Sequence, residues 1–116
     1  MIASSDCFMV LVTAPDIDTA RRMASVILTE RLAACANLVP GIESHYWWKG
    51  KLESSGEVLM ILKTTRDALE PLERCILAAQ PYQVPEFVVL PFTNGSSTYL
   101  DWLRAEVHSC PPQGNG

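Results

Sequence analysis

Three runs of strand length contain no polar residue: Phe-Met-Val-Leu-Val at 8–12, Val-Leu-Met-Ile-Leu at 58–62 and Phe-Val-Val-Leu at 87–90. A strand with one face in water alternates apolar and polar side chains, because successive side chains point to opposite faces. These runs do not alternate, so the sheet they build must be covered on both faces. That demand limits which folds a chain of 116 residues can adopt.

The first run extends over residues 7–14 and stops at Pro15-Asp16, where Asp16 or Asp18 can cap a helix. Ala20, Met23, Ala24, Ile27, Leu28 and Leu32 then share one helical face. Residues 35–48 read as one long strand bent at Pro40-Gly41. Lys49-Gly50-Lys51 turns it into a partner whose core is 58–62, giving an extended β-hairpin arm. Asp67 is placed to cap a second helix, with Leu69, Leu72, Ile76 and Ala79 on one face and Pro71 disturbing its first turn. Pro81 ends that helix and Pro85 holds Val84 extended, so residues 80–86 (Gln-Pro-Tyr-Gln-Val-Pro-Glu) form a stiff crossover. A fourth strand is expected over 86–93, with Pro91 at an edge or bulge and a turn at Asn94-Gly95. Residues 96–98 offer caps for a third helix striped by Leu100, Leu103 and Val107, with Tyr99 and Trp102 beside the stripe.

This order predicts an α+β fold, a ferredoxin-like βαββαβ sandwich with a C-terminal helix, as one domain over residues 1–108. Residues 109–116 read as a flexible polar tail. The sandwich places its helices on one sheet face and leaves the other to be covered. A second copy of the chain, clasped by the arm, is the economical cover; the alternative is a third helix that crosses to that face.

The net charge is -4 and no basic run occurs, which argues against nucleic acid as a partner. The apolar runs are too short to span a membrane. The first residues show neither a basic region nor a long apolar stretch, so no secretory signal is read and a cytoplasmic location is expected. Cys7, Cys35, Cys75 and Cys110 form no Cys-x-x-Cys pair, which removes zinc-ribbon and thioredoxin readings. Cys35 and Cys75 are expected to be small buried groups.

No phosphate loop or nucleophile elbow is present, and His45 and His108 sit in no metal-binding spacing. The cluster Tyr46-Trp47-Trp48 puts rings on both faces of a strand, as an anchor in a subunit contact or as a platform for a planar ligand. Lys63 follows the apolar run, and Glu86, at the end of the stiff crossover, is placed to pair with it. A Lys and a Glu near aromatics can bind a small polar ligand, and the crossover presents Tyr82, Gln83 and Glu86 as a candidate rim. They suit ligand binding or a structural interface equally. An enzyme would need Glu86 or His45 as acid or base, and no nucleophile and base pair can be assembled, so no catalytic role is expected.

Several spaced motifs, Thr13-Ala-Pro-Asp16, Leu32-Ala-Ala-Cys-Ala36, Tyr46-x-Trp-x-Gly-Lys51, Leu62-Lys-Thr64, Pro81-Tyr-x-x-Pro-Glu86 and Tyr99-Leu-x-Trp-Leu103, resemble the CutA family of divalent-cation tolerance proteins. The resemblance covers about residues 8–107. It implies a homotrimer, similar in shape to the PII signalling proteins, with clefts between subunits and a role in divalent metal ion (copper) tolerance. It also implies copper ligands at three positions occupied here by Val12, Ala79 and Gln80. Valine and alanine cannot ligate a metal and an amide is a poor copper ligand, so no tight copper site of that kind is expected. Cys35, Cys75 or His45 would have to supply an alternative. No cofactor is required, and the partners expected are further copies of the chain with a small molecule or divalent cation. The other function left open is a PII-like sensor or binding module without direct metal binding, which would use a cleft between subunits lined by Trp48, Lys63, Tyr82 and Glu86.

Overall fold

The computed structural model describes residues 1–108, so the expected tail and Cys110 lie outside the described residues. A mixed fold is built on a four-stranded antiparallel sheet. Its strands are β2 (Cys7–Ala14), β3 (Cys35–Trp48), β4 (Lys51–Thr65) and β5 (Val88–Pro91), in the order β3-β4-β2-β5. The helices are α1 (Ile17–Thr29), α2 (Leu69–Ala79) and α3 (Ser97–Glu106). A short ribbon pairs β1 (Ile2–Ala3) with β6 (Asn94–Gly95), so the expected turn at Asn94-Gly95 is instead a strand held by the N-terminus.

Local chemistry explains where the helices begin and end. Asp16 caps α1, accepting a 2.7 Å hydrogen bond from the Thr19 N–H. The helix stops three residues before Leu32. Arg31 takes a left-handed conformation (φ 61°), its N–H donating to Leu28 O and the Leu32 N–H to Ile27 O. This paired termination satisfies orphan carbonyls and turns Leu32 into the core, so Leu32 is buried without being helical. Asp67 does not cap α2. It lies in a 3-10 turn (Arg66–Ala68) that leads into the helix, and no side chain caps the α2 start. Pro71 is tolerated because first-turn N–H groups have no helical acceptor.

Register fixes the two faces. Val10, Val12 and Ala14 of β2 lie beside Val58, Met60 and Leu62 of β4, buried under Ala20, Met23, Ala24 and Ile27 of α1 and Leu72 and Ile76 of α2. The opposite face carries Met9, Leu11 and Thr13, paired with Lys63, Ile61 and Leu59. Val88 and Leu90 of β5 continue it, and both are exposed. At one end α3 does cross to this second face, where Leu100, Leu103 and Val107 bury Cys7 and Ala68. The middle of the second face remains a partly exposed apolar surface, with Met9, Leu11, Leu59 and Ile61 half-buried.

The bend at Pro40-Gly41 is a register shift between Val39 and Ile42, with Gly41 at φ 78°. Beyond it β3 and β4 continue as the arm. Lys49 and Gly50 close it with φ 51° and 78°, the two positive values of a type I′ hairpin turn. The fourth strand is shorter than the expected 86–93, and Phe87 packs on the core just before it. Pro91 ends β5 on the sheet edge, where its missing N–H breaks no ladder.

Candidate functional site

The crossover of residues 80–86 is tied to the sheet twice near its start. Gln80 is 8% exposed and its Nε2 donates to Thr13 O at 2.7 Å, fixing the crossover to the end of β2. Two residues on, the Tyr82 hydroxyl donates to Glu57 Oε2 on β4. Glu57 stands opposite Ile42, the first residue paired after the bulge, and so belongs to the second face with Leu59. The bulge swings the arm away, the crossover closes the other side, and an open cleft of about 640 Å³ lies between them. Thr13 and Leu59 contribute to its lining, Ser44, Tyr46 and Trp48 come from the arm, and Tyr82, Gln83, Val84 and Glu86 from the crossover, with Glu57 between.

Two carboxylates set its electrostatics. Burial, and then the charge of Glu57, push the Glu86 pKa up. Burial raises the Tyr82 phenol strongly, and the hydrogen bond to Glu57 and that group's charge add to it, so Tyr82 remains a donor at any physiological pH. Among the described residues, no ion pair involves Glu57 or Glu86. His45 also borders the cleft, with its Nε2 2.6 Å from Glu43 Oε2 on the exposed arm. Tyr46 leans on the same strand pair, its hydroxyl 3.3 Å from Ser55 Oγ.

Of the four residues expected to line a cleft, Trp48, Tyr82 and Glu86 meet here and Lys63 does not. Lys63 lies near the far end of β4, opposite Met9 on one side and Cys35 on the other, with its Nζ 5.8 Å from the Tyr99 ring centroid. Within one chain it does not pair with Glu86. Glu57 went unnoticed in the sequence, where its only signal is a charge directly before an apolar run.

The positions tied by resemblance to copper lie near one another, since the Gln80 amide reaches the carbonyl next to Val12, but they offer no ligand set. Val12 is wholly buried in the core, Ala79 ends α2, and the Gln80 amide is held by Thr13. Cys35 and Cys75 are half-buried free thiols. Burial, with the nearby Glu30 charge, pushes the Cys75 thiol up, which disfavours the thiolate a metal needs. The described residues contain no group of three or more His, Cys, Asp or Glu side chains placed to hold a metal ion, and no helix among them is long and apolar enough to cross a membrane.

Comparison with known proteins places the chain in a family. A family profile described as CutA1 divalent ion tolerance protein matches residues 8–106. The divalent-cation tolerance protein CutA of Citrobacter koseri is 49% identical over 106 residues, covering 91% of this chain and 92% of that protein. The crystal structure of CutA1 from Oryza sativa superposes with a TM-score of 0.87 at 41% identity, covering 90% of this chain and 96% of that one. The CutA structure from Archaeoglobus fulgidus, described as a periplasmic divalent cation tolerance protein, gives a TM-score of 0.85 at 33% identity over 88% of this chain and 99% of that one. The chain belongs to the CutA1 divalent ion tolerance family.

Proposed function

We propose that this chain forms a homotrimer of ferredoxin-like subunits and contributes to divalent metal ion (copper) tolerance by binding a small ligand in clefts completed between subunits. The observation that carries this reading is the position of the cleft, which adjoins the partly exposed apolar stretch of the second sheet face through Thr13 and Leu59. A second copy laid on Met9, Leu11, Leu59, Ile61, Val88 and Leu90 removes that surface from water and walls the cleft at once. Lys63 lies on the same face but at its other end, so it enters a cleft only from another copy. The strand order is that of a split βαβ sandwich, which supports the ferredoxin-like assignment.

The residues at the family's copper positions do not fit a copper site, so tolerance is assigned to cleft occupancy rather than to metal held by Val12, Ala79 and Gln80. A PII-like sensor that responds to a metabolite with no metal contact is the second reading, favoured by the aromatic wall of Tyr46 and Trp48. We read the protein as a binding protein without catalytic activity. A cytoplasmic location belongs to the same reading.

Mass measurement in solution together with a thermal-shift screen of metal ions and metabolites tests the assignment. Three chains per particle and a metabolite that raises the melting temperature support it. A monomer, or submicromolar stoichiometric copper binding to the reduced protein, overturns it.

A further inference from the structure

We propose that the cleft takes an organic ammonium ligand, a protonated amine on an aromatic or apolar body, with Glu57 and Glu86 receiving the charge and the arm's aromatic rings receiving the body. The inference deepens the cleft reading above and rests on it.

Two half-buried carboxylates share the cleft and, among the described residues, neither has an ion-pair partner. Such a pair is destabilised by desolvation and mutual repulsion, and a cation entering between them relieves both. Tyr82 donates to one oxygen of Glu57, which fixes that carboxylate and leaves its other oxygen as an acceptor. If Lys63 of a second copy arrives as well, two carboxylates against one ammonium still leave the cleft net negative.

The remaining lining separates an organic cation from a metal ion. A divalent ion asks for more hard donors than two carboxylates, and no cluster of three such side chains is found among the described residues. The cleft instead presents Tyr46, Trp47 and Trp48 together with Ile42, Leu59 and Val84. Ring faces attract ammonium groups, and the aliphatic side chains hold an apolar body. At about 640 Å³ the space suits a ligand of many atoms better than a bare ion.

The test uses the full chain and three probes of one shape: 2-phenylethylamine, 3-phenylpropionate and 3-phenylpropanamide, carrying a positive, a negative and no charge. Binding is read by calorimetry and by tryptophan fluorescence at pH 8, with Glu57→Gln and Glu86→Gln as variants whose fold is checked by circular dichroism. The expected result is saturable binding of the amine, weakened about tenfold in either variant, with the other two probes at least about tenfold weaker than the amine. Equal or tighter binding of the anion or the amide overturns the inference while leaving the cleft as a binding site. Amine binding unchanged in both variants overturns it too, since the charge would then be received elsewhere. If the amine does not bind the wild-type chain the inference falls. The cleft reading falls with it only if the wider metabolite screen is also empty.

Discussion

Thr64 is the buried hydroxyl whose role is clearest, since its Oγ donates to Leu32 O at 2.7 Å inside the core. Thr64→Val keeps the volume but orphans that carbonyl, and is expected to cost about 1–3 kcal/mol in urea unfolding, with Thr64→Ser close to wild type. An undiminished midpoint in Thr64→Val would show that the Leu32 carbonyl finds another partner. Glu86 acts in the opposite sense. Its pKa is raised in the fold by burial and by Glu57, so between the unfolded and folded values the native state holds more protons. Stability attributable to this group therefore falls as pH rises through that interval, and the penalty is complete above the folded value. Glu86→Gln, which mimics the protonated acid, is expected to raise the melting temperature at pH 8 and to match wild type at about pH 3, where the Glu86 carboxyl is protonated in the folded and the unfolded chain alike. The same gain at both pH values would sink the assignment. Glu86 and Tyr82 were legible in the sequence because two prolines fix the crossover that carries them. Glu57 was not, because its hydrogen bond to Tyr82 spans 25 residues and no local pattern encodes a contact across a fold.

Element type followed from periodicity, while element ends followed from backbone details that periodicity does not carry. The α1 pattern runs through Leu32, yet the helix stops earlier because Arg31 adopts a left-handed cap that glycine usually supplies. The 3-10 turn before α2 makes Asp67 redundant as a cap, and β5 has only four residues, paired with residues 8–11 of the longer β2. The arm's tip is the clearest case of a turn type imposing its own preference. Lys49 occupies the first positive-φ position of a type I′ turn, where asparagine is favoured, so Lys49→Asn is expected to stabilise the arm by up to about 1 kcal/mol. Slower hydrogen exchange at Trp47 and Trp48 would register it, and unchanged exchange would mean the tip does not limit arm stability. Helix α3 is held by fewer groups than the main core. Leu103, wholly buried against Cys7 and Ala68, anchors it, and Leu103→Ala is expected to cost about 2–5 kcal/mol and to expose the α3 amides first.

At the scale of the whole molecule, the unalternated strands foretold a second cover, and the single chain supplies only part of it. Helix α3 takes one end of the second face, near Cys7 and Lys63; the cleft takes the other end; between them Met9, Leu11, Leu59 and Ile61 lie half-covered, with Val88 and Leu90 exposed. Apolar surface in a continuous patch drives association, and β3, a 14-residue edge strand ending in the arm, offers unpaired backbone groups beside it. A charge placed at the patch centre separates folding from assembly. Ile61 faces away from the main core, so Ile61→Glu leaves α1, α2 and their packing intact, whereas a glutamate buried between copies would be desolvated without a partner. The expected product is a folded particle with the mass of one chain, against a multiple of it for wild type. If the clefts are completed between copies, this variant also loses the rise in melting temperature that a cleft ligand gives the wild-type assembly. A monomeric Ile61→Glu protein that still responds fully to ligand would confine the site to one subunit and exclude Lys63 from it. An Ile61→Glu protein that keeps the wild-type mass would place the contact between copies elsewhere, on the arm or the free edge of β3.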